Sequence, residues 1–430
     1  MFGILKLFTN NYMSRIIQVF EFEKLTLNKD LRGRYLEQKE LDKQYEYNDK
    51  NDNVYFTGIR EGVKFKNYVG VIQIGGLTIE ILPKTDKNVS EDSDFSAWHG
   101  ALLNMLKVCK HINVNSVSEA SLKRKNNSIL DLYFEMYLDE VQSLLRAGLV
   151  KKYRSDSSNV FALKGRLDFN KNIQKNLIHQ ERFFTEHQVY DYENLVNQII
   201  LKGLTILGSL TYNSQLKDKI SRLRVSFPEI KEISIQKYHF DKVKENRKTV
   251  AYTRALQIAK MIILNYSPDI RSGQENMLTL LFDMNKLWEE YVYRMLLRTK
   301  DDNLTVSFQN KQVFWEGRTI RPDLVLIRKN DNNDDETFVI DTKWKVLDAS
   351  NPKPSDNDLK QMYAYNLYWN AKRSMLLYPN SKGIDEKFGN YWKGREVPEN
   401  NQCKVGFINI LDEGNFLNLD IGEEILSKLN

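Results

Sequence analysis

Arg321-Pro322-Asp323-Leu324-Val325-Leu326-Ile327, followed by Phe338-Val339-Ile340-Asp341-Thr342-Lys343-Trp344-Lys345, decides how the last third of this chain reads. The first run sets an Asp behind a proline at the head of an apolar strand. Lys329 to Thr337 (KNDNNDDET) reads as a polar turn. The two runs therefore predict a hairpin, with Asp323 on one arm and Asp341 and Lys343 on the other. Strand side chains alternate with period two, so Asp341 and Lys343 share a face. A lone Asp-x-Lys carries little weight in a chain with 57 acidic and 63 basic residues. Its ordinary meaning is an exposed hairpin edge. Here the apolar triplet Phe338-Val339-Ile340 and the Pro-Asp before the partner strand shift the reading to a buried strand ending in polar groups.

Two carboxylates and a lysine in this arrangement suit phosphodiester cleavage. Magnesium takes only one or two carboxylates and fills its shell with water and phosphate. Asp323 and Asp341 are the candidate ligands, with manganese able to substitute. Such a metal polarises the scissile phosphate and acidifies a water. Lys343 is expected to orient that water or to stabilise transition-state charge. The five histidines (His99, His111, His179, His187, His239) all precede this segment, which disfavours histidine-based chemistry in it. Cys109 and Cys403 are far apart and form no zinc or disulfide pattern, so a reducing cytoplasm is expected.

Outward from the hairpin, strands are predicted at 305–308, 312–315, 374–378 and 404–409, with a helix over 358–370. A long helix is predicted over 276–298, because Met277, Leu280, Leu281, Met284, Leu287, Trp288, Tyr291 and Met295 recur at helical spacing. It carries Glu289, which reads equally as a further acidic group near the metal or as a helix surface charge. Gln361, on the later helix, reads as a contact to DNA or to the lysine's strand, or as a half-buried amide. Tyr363 and Tyr365 read as packing residues. Ser267 to Gly273 (SPDIRSG) is the expected linker ahead of this module.

Residues 1–95 read as β-rich. The run 15–27 alternates, and Gly75-Gly76 sits between two alternating runs as a hairpin signal ended by Pro83. Lys43 to Asn53 reads as an exposed loop. Residues 96–270 read as mainly helical, with helices expected over 97–108, 129–149, 194–210 and 252–266. The class expected is therefore a multidomain α+β protein: a β-rich amino-terminal region, a helical middle region and an α/β module over 271–430. No apolar run is long enough to span a membrane. Residues 1–12 lack the layout of a signal peptide and read as a loose extension or a start-site artefact. The net charge of +6 is compatible with a polyanionic partner without demanding one. Basic clusters at Lys123-Arg124-Lys125 and Lys151-Lys152-Tyr153-Arg154 read as a solvated face, or as binders of phosphate or of an acidic partner.

These residues resemble the PD-(D/E)xK nuclease superfamily and, more narrowly, the McrC family of modification-dependent restriction systems. The resemblance runs through most of the chain: Gly75 to Lys84, Gly148-Leu149-Val150, Leu163-Lys164-Gly165-Arg166-Leu167, Asp283 to Glu289, Arg321-Pro322-Asp323, Asp341-Thr342-Lys343 and Asp358 to Tyr365. Trp288 and Trp344 stand where the family often has other aromatics. The resemblance implies a restriction-endonuclease-like fold over 271–430 and cleavage of double-stranded, modified (5-methylcytosine-type) DNA with magnesium. It also implies a hexameric McrB-like AAA+ partner that hydrolyses GTP and is stimulated by this chain. Consistent with that division, the chain has no G-x-x-x-x-G-K-[ST] of its own. GTP is thus expected only through the partner, with Arg124, Arg154 and Arg166 as candidates for stimulating it from a docking region within 1–270. A non-catalytic adaptor and a stand-alone repair nuclease of the same superfamily are the competing readings. Retention of Asp323, Asp341 and Lys343 argues against the first. The long helicase-free amino portion argues against the second.

Overall fold

The computed structural model of the chain describes residues 15–83, 92–111, 128–267, 276–299, 303–329, 335–345, 347, 353–379, 386–393 and 397–429. Residues 1–12, the Lys123–Lys125 cluster with Arg124, and the linker beyond Ser267 lie outside them. The chain forms two compact units that are interleaved in sequence. One consists of 16–72, 78–114 and 281–430; the other is built mainly of 115–280 with 73–77. The packing thus does not follow the linear division at 95 and 270. The β-rich amino-terminal stretch belongs to the same unit as the carboxy-terminal module.

That unit is centred on a six-stranded mixed sheet. Its strand order is Leu304–Phe308, Leu324–Arg328, Glu336–Thr342, Arg373–Pro379, Val397–Ile408 and Phe388–Lys393. The hairpin expected from the sequence is there: Leu324 to Arg328 pair antiparallel with Ile340 to Glu336. Glu336–Thr342 then runs parallel to Arg373–Pro379. Parallel neighbours need a crossover, and the helix Asp356–Tyr368 supplies it. Ser355 caps that helix, its Oγ accepting the Asp358 N–H at 3.1 Å. Met362 and Tyr365 on the helix pack on Val325, Val339, Leu376 and Phe407 of the sheet. Each such apolar side chain stabilises the module by roughly 1.5–3 kcal/mol when fully buried.

The predicted helix over 276–298 is half strand. Met277–Asp283 is extended and Met284–Leu296 is helical. The apolar spacing fits both periods over so short a stretch, and the cap decides: Asp283 accepts the Asn285 N–H at 3.0 Å and starts the helix there. Lys43 to Asn53 was expected as a loop, but Gln38–Lys50 is a helix. A capping box between Glu37 and Glu40 nucleates it, and Leu41, Gln44, Tyr47 and Asn48 face inward. The alternating run 15–27 is two strands, Arg15–Phe20 and Lys24–Thr26, broken where Phe22 takes a positive φ of 64°. The turn at Gly75 joins Tyr68–Ile74 to Leu77–Leu82 as expected, with Gly75 at φ 52°.

The other unit contains the expected helices, as Ile129–Ala147, Leu195–Leu210 and Thr253–Leu264. It also holds an unanticipated three-stranded sheet, Lys152–Val160, Phe183–Asp191 and Arg166–Leu167. Lys152–Val160 is polar on both faces (KYRSDSSNV) and leaves no hydrophobic alternation to detect. Its backbone pairing with Phe183–Asp191 extends over nine residues.

One buried contact among several ties the amino-terminal stretch to the carboxy-terminal module. Trp344 Nε1 donates to Glu21 Oε1 at 2.6 Å, and both side chains are buried. Replacing a buried donor without its acceptor costs about 1–3 kcal/mol. Trp344→Phe is therefore expected to lower unfolding stability by about that amount in a denaturant titration. An unchanged midpoint would show that this contact contributes nothing.

Candidate active site

The strand Glu336–Thr342 delivers Asp341 into the interior, where it is 3% exposed. Asp323 stands just before the antiparallel neighbour Leu324–Arg328. Its Oδ2 accepts the Thr342 N–H at 2.7 Å and the Thr342 hydroxyl at 2.9 Å. Its own carbonyl accepts the Gln309 N–H at 2.8 Å. Lys343 Nζ lies 2.6 Å from Asp341 Oδ2 and 3.5 Å from Asp358 Oδ1. The same ammonium reaches Gln361 Oε1 at 3.5 Å. Gln361 Nε2 donates to the Tyr365 hydroxyl at 2.6 Å, and that hydroxyl donates to the Arg321 carbonyl at 2.9 Å. Glu289 enters from the helix Met284–Leu296, with its Oε2 held by Gln309 Nε2 at 3.0 Å.

The electrostatics are those of crowded, buried carboxylates. Burial raises the pKa of Asp323, and the charges of Asp341 and Glu289 raise it further, against two hydrogen bonds from Thr342. Burial likewise raises Asp341, although Lys343 opposes the shift. Glu289 is raised by burial and by Asp341, with Gln309 working the other way. Burial alone would lower Lys343, but Asp341 overrides it and keeps the ammonium charged well past neutrality. Asp358 is pushed up by burial, yet Ser355, Lys343 and Lys345 bring it below the ordinary carboxylate range.

Five of the residues singled out from the sequence thus meet in one place: Asp323, Asp341, Lys343, Glu289 and Gln361. Glu289 is more than a surface charge, because its field reaches both aspartates. Sequence reasoning missed Thr342, which fixes Asp323, and Asp358, which shares Lys343. Thr342 stands between two residues already marked, so period-two alternation drew attention past it to the opposite face. Asp358 lay in a quoted motif, but only the crossover brings its helix end to the lysine. Tyr365 packs as expected and also carries a hydrogen bond in the chain that supports Gln361.

The donor set fits a hard divalent cation. Asp341 and Glu289 raise the pKa of Asp323, and Asp341 raises that of Glu289, so the carboxylates are crowded enough for a divalent cation to relieve their repulsion. Among the described residues no three His, Cys, Asp or Glu side chains form a ready-made cage. Magnesium, which takes one or two carboxylates with water and phosphate, needs none.

Arg154 and Arg166 lie in the other unit. The Arg154 guanidinium is engaged by Asp156, Asp191 and Glu193 at 2.9–3.4 Å. Arg166 is 83% exposed and meets only Glu186, at 3.1 Å, among the described residues. Among the described residues no helix is long and apolar enough to cross a membrane.

A mixed α/β, multidomain architecture with an acidic centre and an attendant lysine is the class that fold and site define. The family model described as McrBC 5-methylcytosine restriction system component matches residues 63–379. The chain belongs to that family. The Escherichia coli (strain K12) type IV methyl-directed restriction enzyme EcoKMcrBC is 23% identical over 190 residues. That match covers 43% of this chain and 55% of the relative, so it spans about half of that protein. Among solved structures, a chain of the half-complex from the tetradecameric assembly of Thermococcus gammatolerans McrB AAA+ hexamers with bound McrC has the same fold. It superposes at a TM-score of 0.67 with 19% identity, over 97% of this chain and 99% of that one.

Proposed function

We propose that this chain is the endonuclease subunit of a GTP-dependent, modification-dependent DNA restriction complex, built on a PD-(D/E)xK centre. The observation that carries the reading is the convergence of Asp323, Asp341 and Lys343 at one end of a buried hairpin, with Lys343 Nζ 2.6 Å from Asp341. Asp323 and Asp341 would hold magnesium or manganese, and Glu289 stands close enough to bias the site by its charge. The bound metal would supply Lewis-acid activation of the phosphate and of a water. Lys343 stays protonated beside Asp341, so it offers a positive N–H donor to a phosphate oxygen or to the attacking water. Gln361, braced by Tyr365, keeps that ammonium from swinging away. Thr342 fixes one oxygen of Asp323 and leaves the other for a ligand. The direct test is cleavage of duplex DNA containing 5-methylcytosine by the full chain with a McrB-like partner, GTP and magnesium. No cleavage of any modified duplex in that mixture would reject the reading.

Docking to a GTP-hydrolysing AAA+ hexamer is the second half of the proposal, supported by family membership. A charged side chain offered to the partner's phosphate site can speed hydrolysis strongly. Arg166 is the better candidate of the two described arginines, because Arg154 is already held by three carboxylates. Arg124 remains a candidate outside the described residues. In the full chain, Arg166→Ala is expected to lower the stimulated GTPase rate of the partner by about tenfold or more. A rate equal to that with the unaltered chain would remove Arg166 from consideration. The full chain is the right material, since a fragment ending at 270 would cut one compact unit in two.

A further inference from the structure

Next to the acidic centre lies a groove of about 650 Å³ that shares Gln361 and Tyr365 with it and whose cations the proposed chemistry does not use. Its walls are the hairpin Gln312–Trp315 and Arg318–Ile320, together with the helix Asp356–Tyr368. Three cations line it, Lys311, Arg321 and Lys360, with Phe314 and Gln361 between them. Among the described residues none of the three cations is held in an ion pair, and all are exposed. The hairpin is anchored to the site's own support. Tyr368 donates to the Phe314 carbonyl at 3.3 Å, and Tyr365, which braces Gln361, donates to the Arg321 carbonyl at 2.9 Å. The hairpin turns tightly at Glu316-Gly317, where Gly317 adopts φ 66°. Next to that turn it exposes Trp315 at 65% and Val313 at 73%, an apolar surface that no described element covers.

We infer that this groove binds the phosphodiester backbone of the cleaved DNA strand beside the scissile phosphate, with Lys311, Arg321 and Lys360 as positioning residues. The inference rests on the nuclease reading and extends it to residues outside the metal and lysine centre. Its physical basis is a conflict of charge. Asp323, Asp341 and Glu289 repel a polyanion, and opposite or like charges a few ångströms apart interact by several kcal/mol near a protein surface. A bound divalent cation would offset that repulsion at the scissile phosphate, and cations beside the centre would offset it along the flanking backbone. Lysine and arginine contacts to phosphate fix register without reading sequence. A braced hairpin and a helix hold these three at one edge of the centre, and Gln361 lines both groove and centre. The exposed indole of Trp315 offers a flat apolar face to sugar or base where the strand leaves the groove.

The test reads binding separately from cleavage. Labelled duplex DNA is titrated with the full chain in calcium, with no partner present, across a range of salt. Each phosphate contact contributes about 0.9 to the slope of log affinity against log salt. Lys311→Ala combined with Lys360→Ala is expected to reduce that slope by about 2 and to weaken binding at least about tenfold near 50 mM salt. Lys217→Ala combined with Lys237→Ala, two exposed lysines of the other unit, should leave the slope unchanged. An unaltered slope in the Lys311/Lys360 variant, an equal loss in the control, or no measurable binding by the unaltered chain at low salt would each overturn the groove. A groove that fails while the unaltered chain and its partner still cleave DNA leaves the nuclease reading standing. Failed cleavage with intact, Lys311/Lys360-dependent binding does the reverse.

Discussion

Asp323→Ala, Asp341→Ala and Lys343→Ala are each expected to reduce DNA cleavage by about a thousandfold or more, in the presence of the partner, GTP and magnesium. The carboxylates are the only described side chains placed to hold the cation on both arms of the hairpin. Among the described residues, Lys343 is the only ammonium in contact with either of them. Their effects should not add, because each loss disables the same centre. A folding defect would mimic this result, so stability must be read alongside. Burial and mutual repulsion raise the pKa of Asp323 in the folded chain. The sign follows from linkage: a carboxyl that binds its proton more tightly when folded weakens the folded state as pH rises from the unfolded to the folded pKa. Without metal, then, the site costs stability above that window. Asp323→Asn is therefore expected to raise the thermal midpoint of the metal-free protein at pH 8 while eliminating cleavage. Near-normal cleavage by any of the three alanine variants would refute the site. A destabilised Asp323→Asn protein would show that the carboxylate is tied down by more than Thr342.

Chelation is expected to have an equally large effect. Excess EDTA should remove all cleavage, and magnesium or manganese should restore it. Calcium should not, since it takes more ligands at longer and looser distances and spoils the alignment of water and phosphate. Binding and catalysis separate cleanly here. Any of the three cations that occupies the site should raise the thermal midpoint in a concentration-dependent way, because a ligand that binds only the folded state stabilises it by mass action. Asp341→Ala should abolish that shift. Full cleavage in EDTA would remove the metal from the mechanism, whatever the fold.

The centre was legible because its parts are close in sequence and obey a short period. Pro322-Asp323, the apolar strand behind it, and Asp341-Thr342-Lys343 after a second apolar strand can make one hairpin with the polar groups at one end. The structure contains that hairpin, with Leu324 paired to Ile340 at the end that carries the polar groups. The helices 129–147, 195–210 and 253–264 were legible for a similar reason, since an apolar face repeated over several turns admits only one period. Where an apolar run was short, the sequence was ambiguous. Met277–Asp283 could continue the helix behind it, and a side-chain cap at Asp283 made it a strand instead. Where backbone pairing does the work, as in Lys152–Val160, there was no side-chain pattern to detect.

The sequence by itself determined which residue types the candidate centre would hold: two carboxylates and a lysine with the spacing of a hairpin end, and no histidine or cysteine beside them in sequence. Only the tertiary structure decided what surrounds them. It brought Glu289 from one helix and Asp358 and Gln361 from another to the same ammonium and aspartates. It joined Glu21 to Trp344 across 323 positions. It also grouped the first β-rich stretch with the last third of the chain rather than with its sequence neighbours. These are long-range contacts, and their formation depends on which buried surfaces fit together once the sheet has closed. No local period or spacing records that choice, so a hairpin end can be read from a dozen residues while its second carboxylate-bearing helix cannot.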